Sequence, residues 1–311
     1  MSLLALLKGA GSNGFGNAST AEKVTHGLDL TGKSYLITGC SSGLGLETLR
    51  VLGLRGAYVI AVARSAENAR RALDSSSATG MPVTCDLSEP ASVRACVKMI
   101  KQLDRPLNGI ICNAGIMALP KLEQKYGIER QFLTNYIGHF ILVTGLLETL
   151  ADDGRMVIVS SSAHRYAGRE GIAFDNLSGE RGYSAWKAYG QSKLACLLFA
   201  KELARKFSGS HRTANALHPG FIRTNLQRHM NPMARTVFAL IGPLLFKSIP
   251  QGAATQCYLA AHPDAATVSG QYYADCNPAR PSSQAEDQSL AARLWEVSKA
   301  IEGRLTAKAS C

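Results

Sequence analysis

The chain has 311 residues, 46% of them hydrophobic and 18% charged, which is enough for one large folded domain with a sizeable core. Its 34 basic and 23 acidic residues leave a formal charge of +11, suited to an anionic cofactor or an acidic membrane surface. No dense Lys/Arg run interleaved with aromatics occurs, which excludes a nucleic-acid partner, and no Cys-x-x-Cys pair or Cys/His cluster has zinc spacing, which excludes a metal centre. The eight scattered cysteines read as small reduced hydrophobes, so the protein is expected to be intracellular and cytoplasmic.

Met1-Ser2-Leu3-Leu4-Ala5-Leu6-Leu7 is apolar but too short to span a bilayer, and it runs into the Gly/Ser/Asn-rich residues 9–16. Residues 1–28 are expected to form a flexible N-terminal arm, with peripheral membrane contact as the alternative use of the apolar tip. Residues 34–38 then read as a buried strand, Gly39 to Gly45 as a tight glycine loop, and 46–55 as a helix with Leu46, Leu49 and Leu52 on one face. A second strand covers 57–63 and a third 83–85, ending at Asp86. Ser88 is expected to cap a helix over 89–103, with Pro90 in its first turn.

A fourth strand, 107–112, ends at Asn113-Ala114-Gly115, and a long helix is expected over 128–150. The fifth strand covers 155–160, a helix follows over 185–207, and the sixth strand, 213–217, ends at His218-Pro219-Gly220. Residues 270–273 supply a last strand. Strands alternating with helices at this spacing predict an α/β fold: a single-domain, Rossmann-type, doubly wound parallel sheet with helices on both faces. No internal repeat or inter-domain linker interrupts it.

Two short motifs carry chemistry. Gly39-Cys40-Ser41-Ser42-Gly43-Leu44-Gly45 joins a strand to a helix, where glycines allow a tight turn and let backbone approach a pyrophosphate at the helix N-terminus. Its Gly-x-x-x-Gly-x-Gly spacing differs from the commoner Gly-x-Gly-x-x-Gly. Tyr189 and Lys193 stand four residues apart on a predicted helix, hence on one face. An ammonium beside a phenol favours the phenolate, which suits the tyrosine to proton transfer near neutral pH.

Together with Asp86-Leu87, Asn113-Ala114-Gly115, Asn135, Ser161 and Pro219-Gly220-Phe221-Ile222-Arg223-Thr224, these motifs give a chain that resembles the classical short-chain dehydrogenases/reductases over about residues 30–300. Within that family it is most similar to the retinol dehydrogenase and plant chloroplast-envelope, translocon-associated branch, on residues 19–27, 162–165, 188–194 and 248–254. The resemblance implies hydride transfer between a nicotinamide cofactor and an alcohol–carbonyl pair. Tyr189 would be the proton donor and acceptor, Ser161 the group polarising the carbonyl, Lys193 the residue holding the nicotinamide ribose, and Asn135 the organiser of a proton-relay water with the lysine. Ser161 is preferred within the run Ser160-Ser161-Ser162 because Ser162-Ala163-His164 continues like the retinol dehydrogenase branch. His139 and His164 are expected to be packed, since Tyr189 already has the acid–base role.

Cofactor contacts are expected from Gly39, Ser41, Ser42, Gly43, Leu44, Gly45, Asp86, Leu87, Asn113, Ala114, Gly115, Tyr189, Lys193, Pro219, Gly220, Ile222 and Thr224. A ribose with free hydroxyls wants an acid at the end of the second strand, whereas a 2′-phosphate wants a guanidinium. That strand ends Ala61-Val62-Ala63-Arg64 with no carboxylate before Glu67, so Arg64 makes NADP(H) the expected cofactor over NAD(H).

The interval from Ser161 to Tyr189 is about twice the family's usual one, and its extra residues are expected to wall the substrate side. Residues 221–250 match the family's substrate lid, and their apolar composition suits a lipophilic alcohol, aldehyde or ketone. The resemblance also implies a homodimer or homotetramer, paired through the helices near 128–150 and 185–207. The alternative function is an NADPH-binding scaffold or redox sensor in a larger assembly, although every catalytic position is filled.

Overall fold

Strand β1, Ser34–Thr38, is buried along its whole length, as befits a parallel strand covered on both faces. Leu36 packs into one apolar layer and Ile37 into the other, because side chains alternate across a pleated strand. The computed structural model describes residues 9–222 and 246–307. Within them β1 is followed by β2 (Tyr58–Ala63), β3 (Gly80–Thr84), β4 (Leu107–Cys112), β5 (Leu150–Val159), β6 (Thr213–His218), β7 (Tyr272–Ala274) and β8 (Asn277–Pro278). The sheet order is β8-β7-β6-β5-β4-β1-β2-β3, parallel throughout except for the β7–β8 pair. This is the expected mostly parallel sheet.

Helices α1 (Gly43–Leu54), α2 (Ala66–Ser76) and α6 (Ile249–Ala261) contribute to the layer that holds Ile37, Val59 and Leu217. The opposite layer takes α3 (Pro90–Lys101), α4 (residues 130–146), α5 (Ala185–Lys206) and α7 (Gln288–Ala307). Among the described residues no helix is long and apolar enough to cross a membrane.

Several local expectations shift. The helix foreseen over 128–150 begins as α4 at Arg130, with Glu129 as N-cap accepting the Phe132 N–H at 2.8 Å, and it contains a π-helical stretch, Leu133–Ile137. Its end is taken by β5, which begins at Leu150, because the turn-like residues 151–154 are drawn into a bulge against β4. Ser88 does not cap α3; it donates to the Asp86 carboxylate, and Glu89 holds the N-cap position without a side-chain cap bond.

Residues 9–28 are not a loose arm. Asn13 donates to the Cys276 carbonyl at 2.8 Å, Asn17 donates to Asp275, and Phe15 packs edge-on to Tyr258 and His262. A one-turn helix, Ala21–Val24, buries both end residues beside α6. Polar side chains that look solvent-bound in a Gly/Ser/Asn stretch have found distant partners, one backbone carbonyl and one carboxylate.

The helices α4 and α5, expected to pair with a second copy, also pack against α7 within the chain. Trp295 of α7 packs against Phe140 and Phe199 at ring separations of 5.1 and 5.9 Å, and Tyr136 shares a 2.7 Å hydrogen bond with Ser298. Residues 223–245, most of the expected lid, lie outside the described residues, and Thr224 with them.

Candidate active site

The expected site residues gather at the carboxyl edge of the sheet, where β1, β4, β5 and β6 end. Thr38, the last residue of β1, accepts the N–H groups of Asn113 and Ala114 through its hydroxyl, each at 3.0 Å. Asn113 returns its side-chain amide to the carbonyls of Thr38 and Gly39. Gly39 has φ +67°, and a Cβ there would stand 2.8 Å from the Ala114 Cα, so both conformation and space demand glycine. A Cβ on Gly45 would drive into the Gly39 carbonyl and the Asn113 amide.

Ser41 and Ser42 are exposed, and Ser42 at the N-cap of α1 makes no side-chain cap bond. The first turn of α1, Gly43-Leu44-Gly45, therefore presents an uncapped N-terminus, which is the electrostatic requirement for a pyrophosphate. Leu44 packs toward Ile222 across Gly252, joining this loop to the segment after β6. Gly220 there has φ +95° and lies over the Lys247 side chain.

Arg64 is exposed at the end of β2, where Ser65 caps α2. The first acid beyond it, Glu67, is engaged by Arg71 along the helix. Asp86 uses one carboxylate oxygen to accept the N–H and hydroxyl of Ser88, and Leu87 is buried beside it.

On α5, Tyr189 and Lys193 are both buried, at 7% and 4% exposure. The lysine ammonium lies 5.9 Å from the centre of the tyrosine ring and donates to the Val159 carbonyl at 2.8 Å, the last residue of β5. The serine run separates by contact. Ser160 is buried and donates to the Lys193 carbonyl at 2.7 Å, which fixes β5 to α5. Ser161, next along extended backbone, accepts the Ala163 N–H at 3.2 Å, and among the described residues its own hydroxyl proton has no acceptor.

Asn135 sits in the π-helical stretch at 1% exposure. Its side-chain oxygen accepts the Ile116 N–H at 2.8 Å, and its amide donates to the Ile116 carbonyl and the Ser192 hydroxyl, each at 2.9 Å. Gly115 faces Asn135 and Lys193: a Cβ there would lie 3.2 Å from the Asn135 side-chain oxygen and 3.6 Å from the lysine nitrogen. The turn after β4, the π stretch of α4 and the Tyr189–Lys193 face thus form one hydrogen-bonded assembly.

Both histidines are packed. His139 is buried between Thr38 and Asn135, and burial pushes its pKa down to about 4. His164 bonds the Ser161 carbonyl at 2.6 Å and accepts the Ser282 N–H at 3.0 Å; burial lowers its pKa too. Neither is placed as a free base.

Sequence reasoning missed Lys247, whose buried ammonium meets Asp275 at 2.6 Å beneath Gly220. It also missed His218, which accepts the Ser162 N–H and packs edge-on to Phe221 at 5.7 Å. Nothing local marks Lys247. For His218, its place at the end of a strand beside Pro219-Gly220 was a usable signal.

Comparison with known proteins fits this geometry. A family model described as short chain dehydrogenase matches residues 33–235. The chain is 45% identical over 303 residues to short-chain dehydrogenase TIC 32 A, chloroplastic, of Brassica napus, covering 93% of this chain and 94% of that protein. It is 39% identical over 298 residues to retinol dehydrogenase 14 of Homo sapiens, covering 88% and 87%. Its fold is similar to a short chain dehydrogenase from Burkholderia cenocepacia solved in complex with NADP, with TM-score 0.64, 21% identity, and 78% and 96% coverage. The likeness runs along nearly the whole chain, and the protein belongs to the short-chain dehydrogenase family.

Proposed function

We propose that the protein is an NADP(H)-dependent oxidoreductase that interconverts a lipophilic alcohol with its aldehyde or ketone. The observation that carries this reading is the buried Tyr189–Lys193 pair on α5, held to the end of β5 beside Ser161. The bound nicotinamide supplies or receives the hydride. In reduction, the free Ser161 hydroxyl proton polarises the substrate oxygen and Tyr189 delivers a proton to it; in oxidation Tyr189 takes that proton back. Lys193 lies beside the phenol and presents its remaining N–H groups to the ribose side, while Asn135 braces the helix that carries both through Ser192.

Arg64 would pair the 2′-phosphate, since Glu67, the first acid beyond it in the chain, is already engaged by Arg71. Asp86 keeps one carboxylate oxygen for the adenine amino group. The lipophilic character of the substrate is supported by Tyr166, Trp186 and Phe221, which stay exposed, with Trp186 packed edge-on to Tyr189 at 6.2 Å. The seven cysteines of the described residues are buried and unpaired, which suits a reducing intracellular compartment.

The test is NADPH oxidation with a panel of lipophilic aldehydes and ketones. Turnover by wild type, reduced about 10²–10⁴-fold in Tyr189→Phe with NADPH binding retained, is the expected result. Equal inactivity of both proteins across the panel would remove the enzymatic reading.

A further inference from the structure

We propose that His139 is a positioning residue whose neutral imidazole fastens the π-helical stretch around Asn135 to the Asn113–Ala114 turn through Thr38. The consequence for turnover rests on the oxidoreductase reading above; the mechanical link does not.

The hydrogen-bond directions follow from valence. His139 Nδ1 lies 2.8 Å from the main-chain oxygen of Asn135, which can only accept, so Nδ1 carries the proton. In a neutral ring Nε2 is then an acceptor, and it lies 2.8 Å from the Thr38 hydroxyl. That hydroxyl already accepts the N–H groups of Asn113 and Ala114, and its single proton has two possible targets: Nε2 at 2.8 Å or the Ile111 carbonyl at 3.4 Å. The shorter contact gives a continuous directed chain from the Asn113 and Ala114 amides, through Thr38 and the imidazole, to the Asn135 carbonyl. A protonated ring would offer Thr38 a third donor for two lone pairs, so only the neutral form fits.

Both ends of the chain matter. Asn113 and Ala114 shape the turn against Gly39, and Asn135 grips Ile116 and Ser192, one residue before Lys193. A π-helical stretch is a weak point in a helix, and here its central carbonyl is held by side chains: His139 and, at 3.3 Å, the Cys196 thiol. Burial, with a smaller contribution from the field of Lys193 on α5, keeps the ring unprotonated.

The experiment compares full-length His139→Phe, which keeps ring bulk and loses both bonds, with His139→Gln, which keeps one donor and one acceptor. Three readouts are taken: amide hydrogen exchange over residues 113–116, NADPH affinity by fluorescence, and single-turnover hydride transfer. His139→Phe should speed exchange and slow hydride transfer, each about tenfold or more, with NADPH affinity within about threefold, and His139→Gln should recover most of both losses. If His139→Phe fails to fold, Thr38→Val removes the central hydroxyl and should likewise speed exchange and slow hydride transfer. Unchanged exchange in His139→Phe, or equal damage in His139→Gln, overturns the proposal. A wild type that transfers no hydride while exchange still responds would reject the oxidoreductase reading and leave the link standing.

Discussion

Replacing Asn135 by alanine separates a brace from a mere participant in proton traffic. The side chain is 1% exposed and makes three hydrogen bonds of 2.8–2.9 Å, two to the Ile116 backbone and one to the Ser192 hydroxyl. Alanine deletes all three. Ser192 keeps its bond to the Tyr189 carbonyl at 2.8 Å, but both backbone groups of Ile116 lose their partner in a half-buried turn. At about 1 kcal/mol per bond, discounted for water reaching Ile116, the expected loss is about 2–3 kcal/mol. Urea unfolding of wild type, Asn135→Ala and Asn135→Asp at pH 7 measures it. Asn135→Asp should be no better than Asn135→Ala, because a carboxylate can accept from the Ile116 N–H but repels the Ile116 carbonyl. A loss below about 0.5 kcal/mol in Asn135→Ala would refute the brace, since three real bonds cannot vanish so cheaply.

The other predictions test the site and its surroundings. Gly45→Ala should weaken NADPH binding about tenfold or more by pushing the Gly39 carbonyl and Asn113 amide apart, with fluorescence titration as the check. Arg64→Ala should weaken NADPH about tenfold or more and leave NADH nearly unchanged; equal loss for both cofactors would deny the 2′-phosphate contact. The His139 pKa is about 4 in the folded chain against 6.5 for an ordinary histidine. The unfolded chain therefore binds more protons between those values, and stability should fall as pH drops through that window, by up to about 3 kcal/mol. Urea unfolding at pH 7 and 5 should show a smaller drop in His139→Gln than in wild type. Trp295→Ala should cost about 3–5 kcal/mol in chemical unfolding and uncover the α4–α5 face to self-association, read by light scattering.

What the sequence determined by itself is whatever depends on near neighbours. Buried strands at 34–38 and 107–112, the glycine turn between a strand and a helix, and Tyr189 one helical turn from Lys193 all follow from periodicity and local steric needs. The tertiary structure decided what depends on partners far along the chain. It tied Ser160, the first of three adjacent serines, to the Lys193 carbonyl, and it turned Asn13 and Asn17 from loose-arm residues into anchors on residues 275 and 276. It also packed Trp295 of α7 against Phe140 of α4, and it paired the buried Lys247 with Asp275. A hydrogen bond or ring contact across a hundred residues leaves no local pattern, since any stretch with the right donor could supply it; only closing the sheet and stacking its helices selects which one does.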